Sequence, residues 1–158
     1  MNASAISISP ESGHSARYAQ VVRLSKKSEW QIDRDLFRDR QFDFSRKFLP
    51  DGLSHVDMLS FLPAQDARLL SQIQGRTYAY IFGLVERFIS AKMLDQGRSH
   101  ALDDQNALEA LVRFTSEEIK HQEMFRRMET MIGEKMPLGY RRAVDPNDVA
   151  RAVLAAST

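Results

Sequence analysis

The sequence predicts an all-α protein whose main element is a hairpin of two long helices. Apolar residues recur at three- and four-residue steps through two long stretches, 63–94 and 104–132. Capping and turn-forming residues mark the ends of both stretches. The link between them is only about ten residues long, which makes the two helices antiparallel neighbours.

Residues 1–62 precede this hairpin and lack its sustained periodicity. Residues 1–16 are expected to form a disordered arm, because they are rich in Ser and Ala; residues 1–13 also lack the basic and apolar regions of a secretory signal. Residues 17–62 mix charged with aromatic side chains, as in the run WQIDRDLF at 30–37. They are expected to form short helices and irregular segments that pack on the hairpin.

Residues 63–158 are expected to hold the hairpin and the start of a third helix. Pro63 opens the first helix, which continues to about Leu94, with Asp95-Gln96-Gly97 as its stop. Asp103 or Asp104 then caps the second helix, which runs to about Ile132 and is ended by Gly133 and Pro137.

The third helix is predicted to begin at Asp145-Pro146-Asn147-Asp148. Val149, Val153 and Leu154 begin an apolar face, but the sequence ends at Thr158, only two turns later. This ending has no glycine cap and no polar tail. It resembles a chain that stops inside a helix meant to continue.

Composition restricts the function classes. The 158 residues, 43% of them hydrophobic, suffice for one domain, and the net charge of +1 points to no polyanionic partner. The basic residues at 38–47 alternate with acids, so no nucleic-acid surface is expected. The sequence has no cysteine, which excludes disulfides and thiolate metal sites and fits a cytoplasmic location. No apolar run approaches the roughly 20 residues of a membrane span.

Two polar residues interrupt the apolar stripe of the second predicted helix. Reading the stripe at alternate three- and four-residue steps gives Leu111, Phe114, Glu118, His121, Phe125, Met128 and Ile132. Glu118 and His121 are three residues apart and therefore share one helix face. A buried carboxylate needs a compensating cation, hydrogen-bond network or metal ion.

The first predicted helix carries a matching acid. Its stripe is Ala79, Phe82, Glu86, Ile89 and Met93. The midpoint between positions 86 and 118 is position 102, close to the centre of the link, so Glu86 and Glu118 are expected at the same height in the hairpin. The small residues Gly75, Ala79 and Gly83 recur every fourth residue and should let another helix approach beside this acid.

Glu86, Glu118 and His121 are therefore the candidate metal ligands. Carboxylate and imidazole donors in a helical bundle favour iron or manganese, with zinc as a further option. A metal-free interpretation stays open, in which Glu86 pairs with Arg87 or Arg113 and a tyrosine satisfies the imidazole.

The remaining polar candidates receive structural roles. Glu117 points off the stripe and is expected on the helix surface, while Tyr78 and Tyr80 either donate hydrogen bonds behind the ligands or simply pack. The other three histidines have no ligand spacing and are expected on the surface: His14, His55 and His100.

The runs GRTYAYIFGLVE at 75–86 and EEIKH at 117–121 resemble the first two ligand helices of ferritin-like di-iron carboxylate proteins of the bacterial oxidase or oxygenase type. The resemblance covers roughly residues 61–158. It implies a ferritin-like helical hairpin, half of a four-helix bundle, with Glu86 as terminal ligand, Glu118 as bridging ligand and His121 as nitrogen ligand. The family pattern occurs twice per bundle and holds two metal ions, whereas this sequence carries it once.

The resemblance implies dioxygen activation at a carboxylate-bridged di-iron or manganese–iron site, beside a dry pocket lined by Phe82, Phe114 and Phe125. The site would be completed either by a second copy in a homodimer, as in encapsulated ferritins, or by C-terminal helices missing from this chain. An iron-oxidising protein with its site at the dimer interface is one alternative. A metal-free helical structural or interaction protein is the other.

Overall fold

The computed structural model describes residues 10–143 and 145–156, and within these ranges it contains helices and no strand. The prediction of an all-α protein is confirmed. The five α-helices are α1 (Pro10–Lys27), α2 (Asp51–Ser54), α3 (Ala64–Gly97), α4 (Gln105–Gly133) and α5 (Pro146–Ala156). A π-helical turn, Ile32–Phe37, and two 3-10 turns, Val56–Met58 and Arg98–His100, lie between them.

The N-terminal segment differs from the expected disordered arm. Residues 1–9 of that arm lie outside the described residues, but 10–16 form the first turns of α1, which then continues to Lys27. The helix is ordered because it packs along α4: Val22 is buried, and the Ser15 hydroxyl donates a hydrogen bond to Asp104 at 3.0 Å. Lys26 adds an ion pair with Glu109 at 2.9 Å.

Helices α3 and α4 form the centre of the fold. Their contacts run in opposite directions along the two helices: Arg76 pairs with Glu129 near one end, Ser90 meets Gln122 further along, and Gly97 meets Leu108 near the connection. As the residue numbers of the contacting positions increase along α3, those of their partners on α4 decrease. The two helices are therefore antiparallel.

The ends of both helices follow local chemistry. Asp104 caps α4 as predicted, because its carboxylate accepts hydrogen bonds from the backbone N–H groups of Asn106 and Ala107. Helix α3 ends at Gly97, within the predicted stop at 95–97. Gly97 has right-handed helical backbone angles, belongs to the last turn of α3 and leads directly into the 3-10 turn.

The buried face of α4 differs from the predicted stripe. Glu118 and Ile132 are buried as expected, but Phe114 is 44% exposed and its neighbour Thr115 is buried instead. Thr115 can turn inward because its hydroxyl donates to the carbonyl of Leu111 at 2.9 Å within the same helix. On α3, Phe82 is likewise 45% exposed.

Helix α5 and the segment 136–143 pack against α3. Glu129 of α4 fixes the segment, since it accepts hydrogen bonds from Arg76 at 3.2 Å and from Arg142 at 2.9 Å. None of the helices in the described ranges is long and apolar enough to cross a membrane.

Candidate metal centre

The hairpin brings the three predicted ligands together. Glu86 extends from the middle of α3, and Glu118 and His121 extend from successive turns of α4 at the same level. One ligand atom from each of the three side chains lies within 4.8 Å of the others. Among the described residues this is the one group of three acidic or histidine side chains with such spacing.

The imidazole of His121 bridges the two carboxylates. Its Nδ1 lies 3.1 Å from Oε2 of Glu118 and 3.7 Å from Oε1 of Glu86. The side chain of Glu118 is 7% exposed and that of Glu86 is 14% exposed, whereas His121 is 35% exposed. The cluster is thus buried on the carboxylate side and open on the imidazole side.

The two carboxyl groups perturb each other electrostatically. Burial, the hydrogen bond with Glu118 and the negative charge of Glu118 together raise the pKa of Glu86 to about 7, and the His121 imidazole acts in the opposite direction. Two carboxylates in a partly buried site cannot both ionise freely. Glu86 therefore keeps its proton to a higher pH than an ordinary glutamate does.

The salt bridges considered for Glu86 do not form. Arg113 pairs with Glu109 at 2.8 Å, and neither Arg113 nor Arg87 makes an ion pair with Glu86. The imidazole of His121 is hydrogen-bonded to a carboxylate and not to a tyrosine.

Neither tyrosine in the run 75–86 contributes to the cluster. Tyr78 packs on Phe82 with ring centroids 5.9 Å apart. The buried hydroxyl of Tyr80 has no hydrogen-bond partner among the described residues. Packing is the role observed for Tyr78.

A tryptophan covers the open side of the cluster. The ring of Trp30 stacks on His121, with centroids 6.0 Å apart and planes at 27°. Its indole N–H donates to Oε2 of Glu117 at 2.7 Å, and Lys120 donates to the other oxygen of Glu117 and to the Trp30 carbonyl. No periodic pattern predicts this contact, because Trp30 lies 91 positions before His121 in an irregular segment.

Glu117 therefore anchors the covering segment instead of facing only solvent. Burial by itself would raise the pKa of this acid, but the hydrogen bonds from Lys120 and Trp30 outweigh burial and lower it. A carboxylate that stays ionised is a stronger acceptor for the indole N–H. This finding corrects the expectation that Glu117 lies on the helix surface without a further role. Glu117 is not one of the three clustered ligands.

Close helix packing surrounds Glu86. Gln122 donates to the hydroxyl of Ser90 at 3.2 Å, and Ser90 donates to the Glu86 carbonyl at 2.8 Å, which ties α4 to the backbone that carries this acid. One turn away, a Cβ at Gly83 would lie 3.3 Å from Cβ of Phe125. The small residue at 83 thus allows the approach of α4, as predicted.

Two details of the predicted surroundings are wrong. Gly75 faces Phe48 of the preceding irregular segment and not a further helix. The three phenylalanines do not wall a closed pocket: Phe82 stacks on Phe125 at 5.6 Å, but Phe82 and Phe114 are nearly half exposed.

The other histidines lie away from the cluster. His14 and His100 line a shallow polar depression between α1 and the start of α4, and His55 occupies a left-handed turn at φ 54° after α2. None of the three joins the group of ligand atoms around Glu86.

No family model matches the chain, and comparison with curated proteins and with solved structures gives no significant match. Evidence for a function therefore comes from the geometry of the cluster. Two carboxylates and one imidazole within 4.8 Å offer a donor set that suits a hard to borderline divalent ion.

Proposed function

We propose that this chain is a metal-binding, ferritin-like helical protein related to di-iron oxidases and oxygenases. The observation that supports the proposal is the convergence of Glu86, Glu118 and His121 at one level of an antiparallel hairpin, with ligand atoms within 4.8 Å of one another. In helical bundles of this class, a glutamate on one helix and a Glu-x-x-His pair on its neighbour form half of a two-metal site.

The residues fit the metal chemically. Glu86 and Glu118 would supply carboxylate oxygens, and Nδ1 of His121, which already points at both, would supply the nitrogen. A divalent ion would displace the proton that the raised pKa of Glu86 favours. When bound, an iron pair or a manganese–iron pair would supply the reduction of dioxygen and the oxidation of an organic substrate or of ferrous ions.

The protein's own contribution is positioning and exclusion of water. The Ser90–Gln122 link fixes the backbone of Glu86, and the helical spacing fixes Glu118 relative to His121. Trp30 covers the exposed edge of the imidazole and is itself held by Glu117. Three protein ligands leave open coordination positions for a substrate or a second set of ligands.

Completion of the site requires a second half. Two copies related by two-fold symmetry would bring together four carboxylates and two imidazoles around two metal ions. The exposure of Phe82 and Phe114 supports such a pairing, because large apolar side chains on an open helical face mark interaction surfaces. Further helices of a longer chain would complete the site in the same way.

One observation favours a metal-free alternative, a helical structural or interaction protein. The three groups already satisfy one another: His121 is hydrogen-bonded to Glu118, and the raised pKa lets Glu86 stay neutral near pH 7. The iron-oxidising alternative uses the same residues at a dimer interface. The expected cytoplasmic location stays a prediction.

Elemental analysis of protein purified without chelator tests the proposal. Wild-type protein should carry iron or manganese, and His121→Ala should lose most of it because Nδ1 is the one nitrogen donor of the cluster. His100→Ala removes a histidine outside the cluster and should leave the metal content unchanged. Equal metal content in both variants, or a metal-free wild type after loading with ferrous and manganous ions, would favour the metal-free alternative.

A further inference from the structure

A short segment, residues 28–39, covers the open side of the metal centre. It follows α1, places Trp30 over the imidazole of His121 and includes the π-helical turn Ile32–Phe37. The cluster is buried on its carboxylate side and open on its imidazole side. An ion that enters the cluster from the open side therefore has to pass this covering segment.

Two groups of polar contacts hold the covering segment on α4. At its start, the indole N–H of Trp30 donates to Glu117 at 2.7 Å, and the Trp30 carbonyl accepts a longer bond from Lys120 at 3.3 Å. Further along, Asp33 accepts a hydrogen bond from Arg127 at 2.6 Å, although the Asp33 side chain is 80% exposed. Because water replaces polar contacts at a surface, the closed arrangement can open at a modest cost.

Apolar burial fixes only the far end of the segment. Within residues 28–39, all of which the structure describes, Phe37 is the one buried residue, and the guanidinium of Arg127 lies 4.4 Å from its ring centre. The next two residues, Arg38 and Asp39, have left-handed backbone angles at φ 48° and 59°, which strain residues with a side chain. The segment therefore has a fixed, strained end about which its first residues can move.

We propose that the covering segment is a gate that admits metal ions to the cluster; the inference rests on the metal site proposed above. In the closed state, the Trp30 ring lies on the imidazole of His121. In the open state, the ring leaves the imidazole, and the bonds that join Trp30 to Glu117 and Lys120 are broken. Glu117 controls the balance between the two states, because its carboxylate holds both the indole N–H and the Lys120 ammonium.

Rapid mixing of the metal-free full chain with cobaltous ions tests the gate, because the visible absorption of this ion changes when it is ligated. If opening limits entry, the observed rate constant should reach a plateau as the ion concentration rises. Glu117→Ala should raise the plateau about fivefold, since it removes a hydrogen bond that exists only in the closed state. Asp33→Ala removes the bond to Arg127 and should act in the same direction.

Glu123→Ala is the matched control. It removes one negative charge from the same helix, but the bond of Glu123 is with Arg126 and not with the covering segment. The plateau should therefore keep its wild-type value. A rate constant that rises in proportion to the ion concentration without a plateau, or equal plateaus for Glu117→Ala and Glu123→Ala, would overturn the gate.

A measurement without metal separates failure of the gate from failure of the metal site. Diethyl pyrocarbonate modifies accessible imidazoles, and mass spectrometry gives the rate at His121, with the exposed His55 as internal reference. The His121 rate should rise about fivefold in Glu117→Ala and not in Glu123→Ala. Equal rates contradict the gate even when metal binds. If the rate rises but wild-type protein takes up no metal, the proposed function fails, and the gating of metal with it.

Discussion

Glu86 combines partial burial with a carboxylate neighbour, and both raise its pKa, to about 7. The sequence predicted its place in the hairpin, together with those of Glu118 and His121, because helical spacing and distance from the turn are local properties. It could not predict Trp30, whose position over His121 depends on how an irregular segment folds back onto α4.

The first prediction concerns the pH dependence of stability in the metal-free protein. The folded chain keeps a proton on Glu86 that the unfolded chain releases above about pH 4.5. The contribution of Glu86 is therefore complete below about pH 4.5 and is lost as the pH rises through about 7. The free energy of unfolding, from urea titrations, should fall across this interval by an amount on the order of 3 kcal/mol.

Glu86→Gln replaces the protonated acid by a neutral amide and should remove most of this decrease. Glu123→Gln, which changes an exposed acid on α4, serves as the control and should keep the wild-type slope. If the Glu86→Gln variant retains the full decrease, the proton is not held at this carboxyl pair.

The sequence predicted those helix ends that local chemistry determines. Pro63 and Asp104 mark the starts of α3 and α4, and α4 ends at Gly133. Helix α1 was not predicted, because its apolar periodicity is weak. Its stability comes from packing on α4, which the local sequence does not reveal. Phe114 was predicted to be buried but is exposed, because Thr115 takes the inner position. The Thr115 hydroxyl can be buried there since it is hydrogen-bonded within its own helix.

Asp104→Ala should lower the free energy of unfolding by about 1 kcal/mol, the usual effect of losing an N-cap. The carboxylate accepts two backbone N–H bonds at the start of α4 and the hydroxyl of Ser15 from α1. Asp103→Ala removes the adjacent, exposed acid and should change the value little. Chemical denaturation of the two variants measures the difference, and equal losses would show that Asp104 does not act as the cap.

The assembled hairpin leaves apolar side chains uncovered. Phe82, Phe114 and Ile119 are 45%, 44% and 60% exposed, and α1 and α5 do not bury them. Patches of this kind are typical of interfaces. The sequence predicted an open face, but the partner that covers it is a property of the assembly and not of the chain.

We predict that the protein is a dimer in solution and that ferrous ions tighten it. Pairing would bury the exposed apolar side chains and assemble two copies of Glu86, Glu118 and His121. Phe114→Glu should weaken the dimer by placing a charge on the exposed face. Gel filtration with light scattering measures the mass: a compact monomer with a cooperative melt contradicts the prediction, and aggregates without defined stoichiometry would point to missing helices.

Metal binding should also raise the melting temperature by several degrees. An ion that binds only the folded state stabilises it by mass action, and here it would displace the proton on Glu86. Thermal melts with and without ferrous or manganous ions test this, with His121→Ala as the control that should not respond. Identical wild-type melts would favour the structural-protein alternative.

The stacking of Trp30 on His121 has an optical consequence. Trp30 is the single tryptophan of the chain, so all of its indole fluorescence originates 6.0 Å from the imidazole of the cluster. Any event that moves, protonates or ligates that imidazole changes the surroundings of the one emitter. The protein thus carries a built-in fluorophore at its candidate site, and its emission can be followed in real time without a label.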